Sequence, residues 1–301
     1  MCTIAICAIA RFENRYIKEW VDYHLSLGFD YIYLYDNNRE GEERIASVLN
    51  VEKEYKNRVI IVPYHHFSND QCPQMRAYAD CYERNECEWI AFIDIDEFIT
   101  LSPKSKLTNI KQLLHKCSSY DAILLNWMTY GDNEKVFYED APVLLRFPKP
   151  MPYRFSQYNM WGSHPINGHV KTIIRKDLNF RVNGPHVFYG PKTCCNGDGE
   201  SVENIAYQPK ITFKTAYIRH YVTKSLEEYI EGKMKRQAAD QAQSIYNLTS
   251  YFERNKPSLA KYRIYEEFRA NNSTQRELSL MWWLKQIIKQ WVIAPLFLWK
   301  V

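Results

Sequence analysis

WIAFIDIDEFIT, residues 89–100, is an apolar stretch that contains three carboxylates, Asp94, Asp96 and Glu97. The apolar residues predict a buried strand, and two aspartates two positions apart in an extended strand point to the same face. Like charges at this spacing repel each other, and burying either one without a partner is costly. The stretch therefore predicts a positive group between the two aspartates, and a divalent cation with oxygen ligands is the simplest candidate.

Strands and helices alternate on both sides of this stretch. Strands are predicted at residues 3–10, 29–38, 58–64, 89–98 and 120–131, and helices at 16–27, 44–49, 70–86 and 107–117. This alternation predicts an α/β fold with a mostly parallel sheet flanked by helices. Residues 140–220 contain many prolines and glycines, which indicate loops and short strands packed against the sheet.

Three regions are predicted along the chain: an α/β domain at residues 1–222, C-terminal helices at 223–280 and an amphipathic tail at 281–301. Ser225 and Glu228 have the spacing of a capping box at the start of a helix predicted over 223–243. The tail is rich in Trp, Leu and Lys, which is typical of a helix lying in a membrane interface. A helix packed on the protein itself or on a partner has the same pattern, so both interpretations stay open.

Composition and charge argue against several classes of function. The 301 residues carry a net charge of +4 without a basic run, which argues against binding of nucleic acid. The 8 cysteines form no Cys-x-x-Cys pair, so we expect reduced thiols in a cytoplasmic protein rather than disulfides or a zinc site. The N-terminal apolar run lacks a preceding basic region and predicts a first strand rather than a signal peptide.

Polar side chains follow several of the predicted strands. They are Arg11 and Glu13 after the first strand, Asp36 after the second, Asp94 and Asp96 at the fourth, and Asp132 after the fifth. Ligands of open α/β sheets bind beyond the carboxyl ends of the strands. We therefore expect one ligand site at this edge, and a pair of aspartates there suits a metal ion bound to a diphosphate.

A resemblance to a known family is carried by AIARFENRYIKEWVDYHLSLGFDYIYLYDNN (8–38), QMRAYADCYERNECEWIAFIDIDEFI (74–99) and LNWMTYGD (125–132). It continues in order through GHVKTIIRKD, PHVF and IRHYVTKSLEEYIEGKMKRQ, and so covers about residues 3–237. These motifs resemble glycosyltransferase family 92 and its bacterial relatives near family 2. The resemblance implies a GT-A fold, a nucleotide-sugar donor that is usually a UDP-sugar, a divalent cation (Mn²⁺ or Mg²⁺), and inversion at the anomeric carbon.

The resemblance also implies a metal site. Asp94 and Asp96 match the motif that holds the metal and the diphosphate, with Asp96 as a direct ligand and Asp94 as a ligand or a ribose contact. His220 matches a third metal ligand from a late strand, and an imidazole nitrogen is an acceptable ligand for manganese.

Contacts to the donor are implied in the same way for Arg11, Glu13, Asp36, Arg76, Lys171 and His186. Asp36 resembles the acid that reads the uracil or the ribose, and Arg76 matches a contact to the base or the diphosphate. Lys171 and His186 match contacts to the donor phosphates or to the acceptor. An ion pair of Arg76 with an acid on its own predicted helix is the alternative.

An inverting transferase needs a base that takes the proton of the acceptor hydroxyl. Asp132, after the fifth predicted strand, is the first candidate. A turn residue in Gly-Asp-Asn is the alternative for Asp132, and Glu134, Asp198 and Glu200 are rival bases.

The expected function is metal-dependent sugar transfer in the synthesis of a cell-surface glycan such as lipopolysaccharide or capsule. The tail suggests a lipid-linked acceptor and a location on the cytosolic face of the inner membrane. A nucleotidyltransferase is a second hypothesis, but the loop after the first strand lacks the glycines that cradle a triphosphate. A non-catalytic scaffold is the third, and it leaves the polar residues at the strand ends unexplained.

Overall fold

A computed structural model describes residues 2–64, 72–151, 166–176, 178–236 and 246–255, together with the single positions 263, 266 and 284. The strands are β1 (Ile4–Ala10), β2 (Tyr31–Asp36), β3 (Val59–Pro63), β4 (Trp89–Phe92), β5 (Glu97–Leu101), β6 (Ala122–Thr129), β7 (Val170–Arg175), β8 (Arg181–Val182), β9 (Phe188–Tyr189), β10 (Cys194–Asn196), β11 (Ser201–Val202) and β12 (Ala216–His220).

The helices are α1 (Asn14–Ser26), α2 (Ile45–Val48), α3 (Val51–Tyr55), α4 (Pro73–Arg84), α5 (Ile110–Lys116), α6 (Val143–Arg146), α7 (Leu226–Glu228) and α8 (Leu248–Arg254). A π-helical turn, Tyr229–Lys233, follows α7 directly. Short 3-10 turns lie at Pro103–Ser105 and Ile166–Gly168.

The main sheet is mixed and largely parallel, which confirms the predicted α/β class. Its strands follow the order β11-β10-β6-β7-β4-β1-β2-β3, and β12 joins β5 to β6. Strands β3, β2, β1 and β4 are parallel neighbours, as are β6 and β10. The strands predicted in 140–220 are present, since β7 to β12 all begin after residue 165 and before residue 217. The prediction that they pack against the sheet is wrong for β7, β10, β11 and β12, which are hydrogen-bonded members of the sheet itself.

Strand β1 is buried on both faces because helices pack on each side of it. Ile4, Ile6 and Ala8 share a core cluster with Trp20 and Val21 of α1. The alternate residues Cys7 and Ile9 share a second cluster with Tyr78 and Cys81 of α4. Side chains of a strand alternate between its faces, so a continuous apolar run is what a strand between two helical layers requires.

The prediction of one continuous strand over residues 89–98 is wrong. Strand β4 ends at Phe92, a turn contains Asp94 and Asp96, and β5 begins at Glu97 and pairs with β12. Two hydrogen bonds close the turn: the Glu97 N–H donates to Asp94 O at 3.1 Å, and the Asp94 N–H donates to Glu97 Oε2 at 2.9 Å. The aspartates therefore do not share the face of an extended strand, although they do lie at the carboxyl end of β4.

Strand β7 has a position that the sequence did not indicate. It lies between β4 and β6 and is antiparallel to both, with Ile174 opposite Ile90 and Ile173 opposite Ile123. A segment from the irregular half of the chain thus forms the centre of the sheet, and it brings Lys171 into the interior.

The region after β12 begins as predicted and then departs from an α-helix. Ser225 and Glu228 form the expected capping box, which is confirmed by reciprocal bonds between side chain and backbone. Helix α7 is a single turn, and the chain continues as the π turn rather than as the regular helix predicted over 223–243. Residues 237–245 of that prediction lie outside the described residues. So does the tail 281–301, apart from Leu284; no helix of the described part is long and apolar enough to cross a membrane.

A buried ion pair joins three helices near this point. The guanidinium of Arg146, on α6, donates two bonds to Glu228, on α7, at 2.7 and 2.9 Å, and both side chains are almost fully buried. The hydroxyl of Tyr16, on α1, donates to the same carboxylate at 2.8 Å. Burial raises the pKa of Glu228, but the bonds from Arg146 and Ser225 outweigh this effect and lower the pKa below its ordinary value.

We predict that Glu228→Gln lowers the free energy of unfolding by about 3–5 kcal/mol near neutral pH, because it leaves Arg146 buried without its charge partner. The folded-state pKa of Glu228 is depressed, so its contribution is present above the unfolded value of about 4.3 and is lost as pH falls through the folded pKa. Urea unfolding at pH 7 and below pH 4 measures this: the difference between variant and wild type should shrink in acid.

The matched control is Glu231→Gln, which removes an exposed carboxylate paired with Arg15 and should cost less than about 1 kcal/mol. An equal loss for both variants, or a loss for Glu228→Gln that does not change with pH, would contradict the assignment.

Candidate active site

The carboxyl edge of the sheet gathers side chains from four remote segments. The loop after β1, the turn after β4, the end of β12 and the π turn all meet there. The backbone N–H of Tyr221, just after β12, donates to Asp96 O at 2.8 Å and ties β12 to the aspartate turn. Polar groups far apart in the chain are thus held at one edge, as the strand-end pattern predicted.

Asp94 is held by α4 and β7. Its carboxylate accepts a bond from Gln74 Nε2 at 2.6 Å and another from Lys171 Nζ at 2.9 Å, and its side chain remains 35% exposed. Lys171 itself is 1% exposed. Burial favours a lower pKa for Lys171, but the neighbouring carboxylates of Asp94 and Glu97 outweigh it and raise the pKa, so the side chain is charged. Lys171, predicted as a contact to the donor phosphates or to the acceptor, lies in this structure as the counter-ion of Asp94.

Asp96 is buried between a lysine and a histidine. Lys233 Nζ, from the π turn, lies 2.6 Å from Asp96 Oδ2, and His220 Nε2 lies 3.7 Å from Asp96 Oδ1. Although burial opposes it, the charge of Lys233 holds the pKa of Asp96 well below its usual range. Burial lowers the pKa of His220, so its ring is mainly neutral at pH 7 and available as a ligand. The structure thus brings Asp96 and His220 together, as predicted.

Glu97 belongs to the site, a role that the sequence did not predict. It is fully buried, it closes the turn through the Asp94 N–H, and its Oε2 lies 3.6 Å from Lys171 Nζ. Its carbonyl accepts a bond from Trp20 Nε1 at 2.8 Å, which anchors the turn to α1. The available signal was its place directly after the two aspartates in an otherwise apolar run.

The loop after β1 is clamped by the segment after the π turn. Arg236 Nη1 lies 2.5 Å from Glu13 Oε1 and 3.0 Å from Arg11 O, and Lys224 Nζ lies 3.8 Å from Glu13 Oε2. The guanidinium of Arg11 pairs instead with Glu42, at 2.5 and 3.0 Å. Glu13 and Arg11 therefore shape the wall of the site through bonds within the protein.

Asp36 also supports this wall. Its Oδ1 accepts bonds from the backbone and side-chain nitrogens of Asn38 at 3.1 and 2.8 Å, and its Oδ2 accepts one from the Ile45 N–H at 3.0 Å. Asn38 Oδ1 in turn accepts a bond from the Phe12 N–H at 3.0 Å. Phe12 has φ +56°, a left-handed conformation that is unusual for a bulky residue and is common at functional sites. Asn38, which the sequence analysis missed, thus holds a strained backbone at the edge of the site.

A cavity of about 230 Å³ opens beside this loop. Phe12, Asn14 and Asn38 line one side, and Gly232 and Lys235 line the other. Complete pockets for small molecules are usually larger, about 300–1,000 Å³, so this cavity suits one ring system of a bigger ligand.

Arg76 and His186 were both predicted as contacts to the donor, and the structure places each of them differently. Arg76 is exposed on α4, while Gln74 and Tyr78 of the same helix face Asp94. His186 Nδ1 bonds to Val170 O at 2.8 Å, and burial lowers its pKa to about 3. Its uncharged ring packs on Trp127, whose ring centre lies 4.2 Å from that of His220. His186 therefore lies behind His220 as a packing neighbour.

Asp132 is buried in a turn. Its Oδ1 accepts a bond from the Glu134 N–H at 2.9 Å, and its Oδ2 accepts one from the Tyr251 hydroxyl at 2.7 Å. Its own N–H donates to Asn255 Oδ1 at 2.8 Å. These contacts favour the turn interpretation of Asp132 over the role of base. The rivals are placed as follows: Glu134 is exposed, Asp198 accepts bonds from Thr212 and Thr215, and Glu200 pairs with Lys210.

The donor set suits a divalent cation that is bound together with a phosphorylated ligand. No group of three His, Cys, Asp or Glu side chains in the described ranges forms a metal cluster by itself. Mg²⁺, however, is usually held by one or two carboxylates plus phosphate oxygens and water, and Mn²⁺ accepts carboxylate and imidazole ligands. Asp96 and His220 would hold such an ion, because His220 Nε2 faces Asp96 Oδ1 at 3.7 Å.

Comparison with known proteins identifies the class. The sequence profile of glycosyltransferase family 92 matches residues 2–256, and the chain belongs to this family. A family 92 protein of Ricinus communis is 35% identical over 104 residues, which are 33% of this chain and 17% of that relative. A family 92 protein of Oryza sativa subsp. japonica is 28% identical over 110 residues, which are 36% of this chain and 18% of that relative. The match thus spans less than a fifth of these plant relatives.

Family membership confirms the predicted enzyme class, a glycosyltransferase, and the α/β sheet flanked by helices agrees with the GT-A type of fold. It favours glycosyl transfer over the nucleotidyltransferase and scaffold hypotheses. A sugar donor and an acceptor are the partners that this class implies.

We predict that Asp132→Asn lowers the free energy of unfolding by about 1.5–3 kcal/mol, because it removes the charge from the bond that Tyr251 donates. Tyr251→Phe, which removes the same bond from the other side, should cause a similar loss in urea unfolding. The double variant should then lose less than the sum of the two. An Asp132→Asn protein with wild-type stability and a transfer rate reduced by ~100-fold or more would instead support the role of base.

Proposed function

We propose that this protein transfers a sugar from a UDP-sugar to a glycan or lipid-linked acceptor, with a divalent cation and with inversion. The observation that carries the proposal is the aspartate turn at the carboxyl end of β4, where Asp96 and His220 converge in a chain of glycosyltransferase family 92. The bound cation would neutralise charge on the departing diphosphate.

The chain's own residues have distinct parts in this proposal. Asp96 and His220 hold the cation, while Glu97 fixes the turn and Lys171 neutralises Asp94. Asp94 Oδ2 is bound to Lys171 and Asp94 Oδ1 to Gln74. A carboxylate oxygen can accept a second bond, so the exposed part of the Asp94 side chain can also accept one from the donor's ribose. The acceptor hydroxyl oxygen attacks the anomeric carbon, the bond from that carbon to the diphosphate oxygen breaks, UDP leaves, and the hydroxyl proton passes to a general base.

The cavity beside Phe12 is the proposed binding site of the donor's nucleoside. It lies at the carboxyl ends of β1 and β2. Its wall is held by the bonds that Asn38 donates to Asp36 and that the Phe12 N–H donates to Asn38. Its volume is suited to one base or sugar ring. We therefore assign Asp36 and Asn38 as residues that position the pocket wall around the donor.

We predict that UDP binds in calorimetric titration when Mn²⁺ is present and does not bind comparably in EDTA. Asp96→Ala should weaken this binding by ~100-fold or more, since even loss of an outer-shell partner of a metal ligand costs about 10–100-fold. Asp22→Ala, which removes an exposed carboxylate on α1, is the control and should bind as wild type does. Wild-type protein that binds no UDP with any divalent cation would overturn the assignment of the donor.

We also propose that the acceptor is part of a cell-surface glycan such as lipopolysaccharide or capsule, made at the cytosolic membrane surface. The support is the Trp- and Lys-rich sequence of residues 281–301. The protein should sediment with anionic lipid vesicles, and a variant lacking residues 281–301 should not, while both bind UDP equally. Equal sedimentation of the two proteins would remove the support for a membrane-bound acceptor.

A further inference from the structure

Lys233 occupies a position that the proposed function does not explain. Its ammonium lies 2.6 Å from Asp96 Oδ2, and its side chain is only 8% exposed. The carboxylate that would hold a divalent cation therefore already has a positive partner supplied by the chain. A divalent cation held between Asp96 Oδ1 and His220 would lie close to this ammonium on Asp96 Oδ2. Because the two positive charges repel each other, binding of the cation would favour movement of the ammonium away from Asp96.

The backbone at Lys233 is specialised. The N–H of Met234 donates to Tyr229 O at 3.0 Å, which is the wide turn of a π-helix. Such turns are rare, and they occur frequently at functional sites. Lys233 is turned into the site, whereas Glu231 and Lys235 of the same segment lie at the surface.

Lys171 and Lys233 neutralise neighbouring carboxylates but differ in how firmly they are held. Lys171 lies on β7 in the centre of the sheet, and its ammonium faces both Asp94, at 2.9 Å, and Glu97, at 3.6 Å. Lys233 lies outside the sheet, on a turn, and pairs with Asp96 alone among the described acidic residues. A lysine side chain has four methylene groups, so its ammonium can move by several ångströms without a change in the backbone. Of the two lysines, Lys233 is thus the one whose ammonium can leave its carboxylate more easily.

We propose that Lys233 is an exchangeable counter-ion, which neutralises Asp96 in the free enzyme and moves to the donor's diphosphate when a divalent cation binds Asp96. The proposal rests on the proposed function, because it takes its ligands to be a divalent cation and a diphosphate. It accounts for a buried carboxylate that is paired before the donor arrives, since an unpaired buried charge is costly. It also gives the displaced ammonium a new anionic partner.

The proposal predicts that Lys233→Met raises the affinity for Mn²⁺ and lowers the affinity for UDP. This substitution keeps the approximate length of the side chain and removes its charge. Mn²⁺ titrated alone into EDTA-stripped protein should bind more tightly than to wild type, on the order of tenfold, because the competing charge is gone. UDP titrated at saturating Mn²⁺ should bind ~10-fold more weakly, because the diphosphate loses a charge-assisted hydrogen bond. Calorimetry measures both without any assay of transfer.

Three further variants make the comparison specific. Lys104→Met removes an exposed lysine beyond the far end of β5 and should change neither affinity. Lys233→Arg keeps the charge and should leave the Mn²⁺ affinity close to that of wild type. In an Asp96→Asn background, Lys233→Met should give no gain in Mn²⁺ affinity, because the ligand for which the two cations compete is missing.

Thermal unfolding checks that each protein is folded, and Lys233→Gln is a second neutral variant if Lys233→Met is not. Mn²⁺ affinity that is unchanged or lower in the neutral variants would overturn the exchange at Asp96. Unchanged UDP affinity at saturating Mn²⁺ would overturn the contact with the diphosphate. Failure of wild type to bind UDP would overturn the proposed function and the diphosphate contact together, whereas the Mn²⁺ titration decides the exchange at Asp96 independently.

Discussion

The neutralisation of the carboxylates in the turn after β4 is the constraint on which the rest of the structure depends. Asp96 and Glu97 are buried, Asp94 is partly buried, and all three lie within four consecutive residues. Lys171 and Lys233 supply the opposite charge, and each comes from a segment more than seventy positions further along the chain. The turn can therefore be buried at low cost only after β7 has entered the sheet and the π turn has closed over its edge.

A second polar network holds the other half of the site. Asp36 holds Asn38, Asn38 holds the strained backbone of Phe12, and Arg236 holds Glu13 in the same loop. The segment that contains the π turn thus contacts both halves, through Lys233 on one side and Arg236 on the other. Its position couples the loop after β1 to the aspartate turn.

This arrangement changes the meaning of several residues that resemble donor contacts. Arg11, Glu13 and Asp36 bond to other protein groups, and they lie next to Phe12 and Asn38, which line the cavity. Asp94, Asp96 and His220 lie together at the carboxyl edge of the sheet, and their roles as metal and donor contacts are part of the proposal.

The sequence by itself determined the elements whose signal is local. Apolar runs and helical periodicity located β1, β2, β3, β6 and the main helices, the spacing of Ser225 and Glu228 located a helix start, and strand-end polar residues located the site. Only the tertiary structure decided the break between β4 and β5, the place of β7 in the sheet, and the lysine partner of each aspartate. The physical reason is that periodicity reports which face of a segment is buried, whereas strand order and charge pairing depend on groups that meet only when the whole chain has folded.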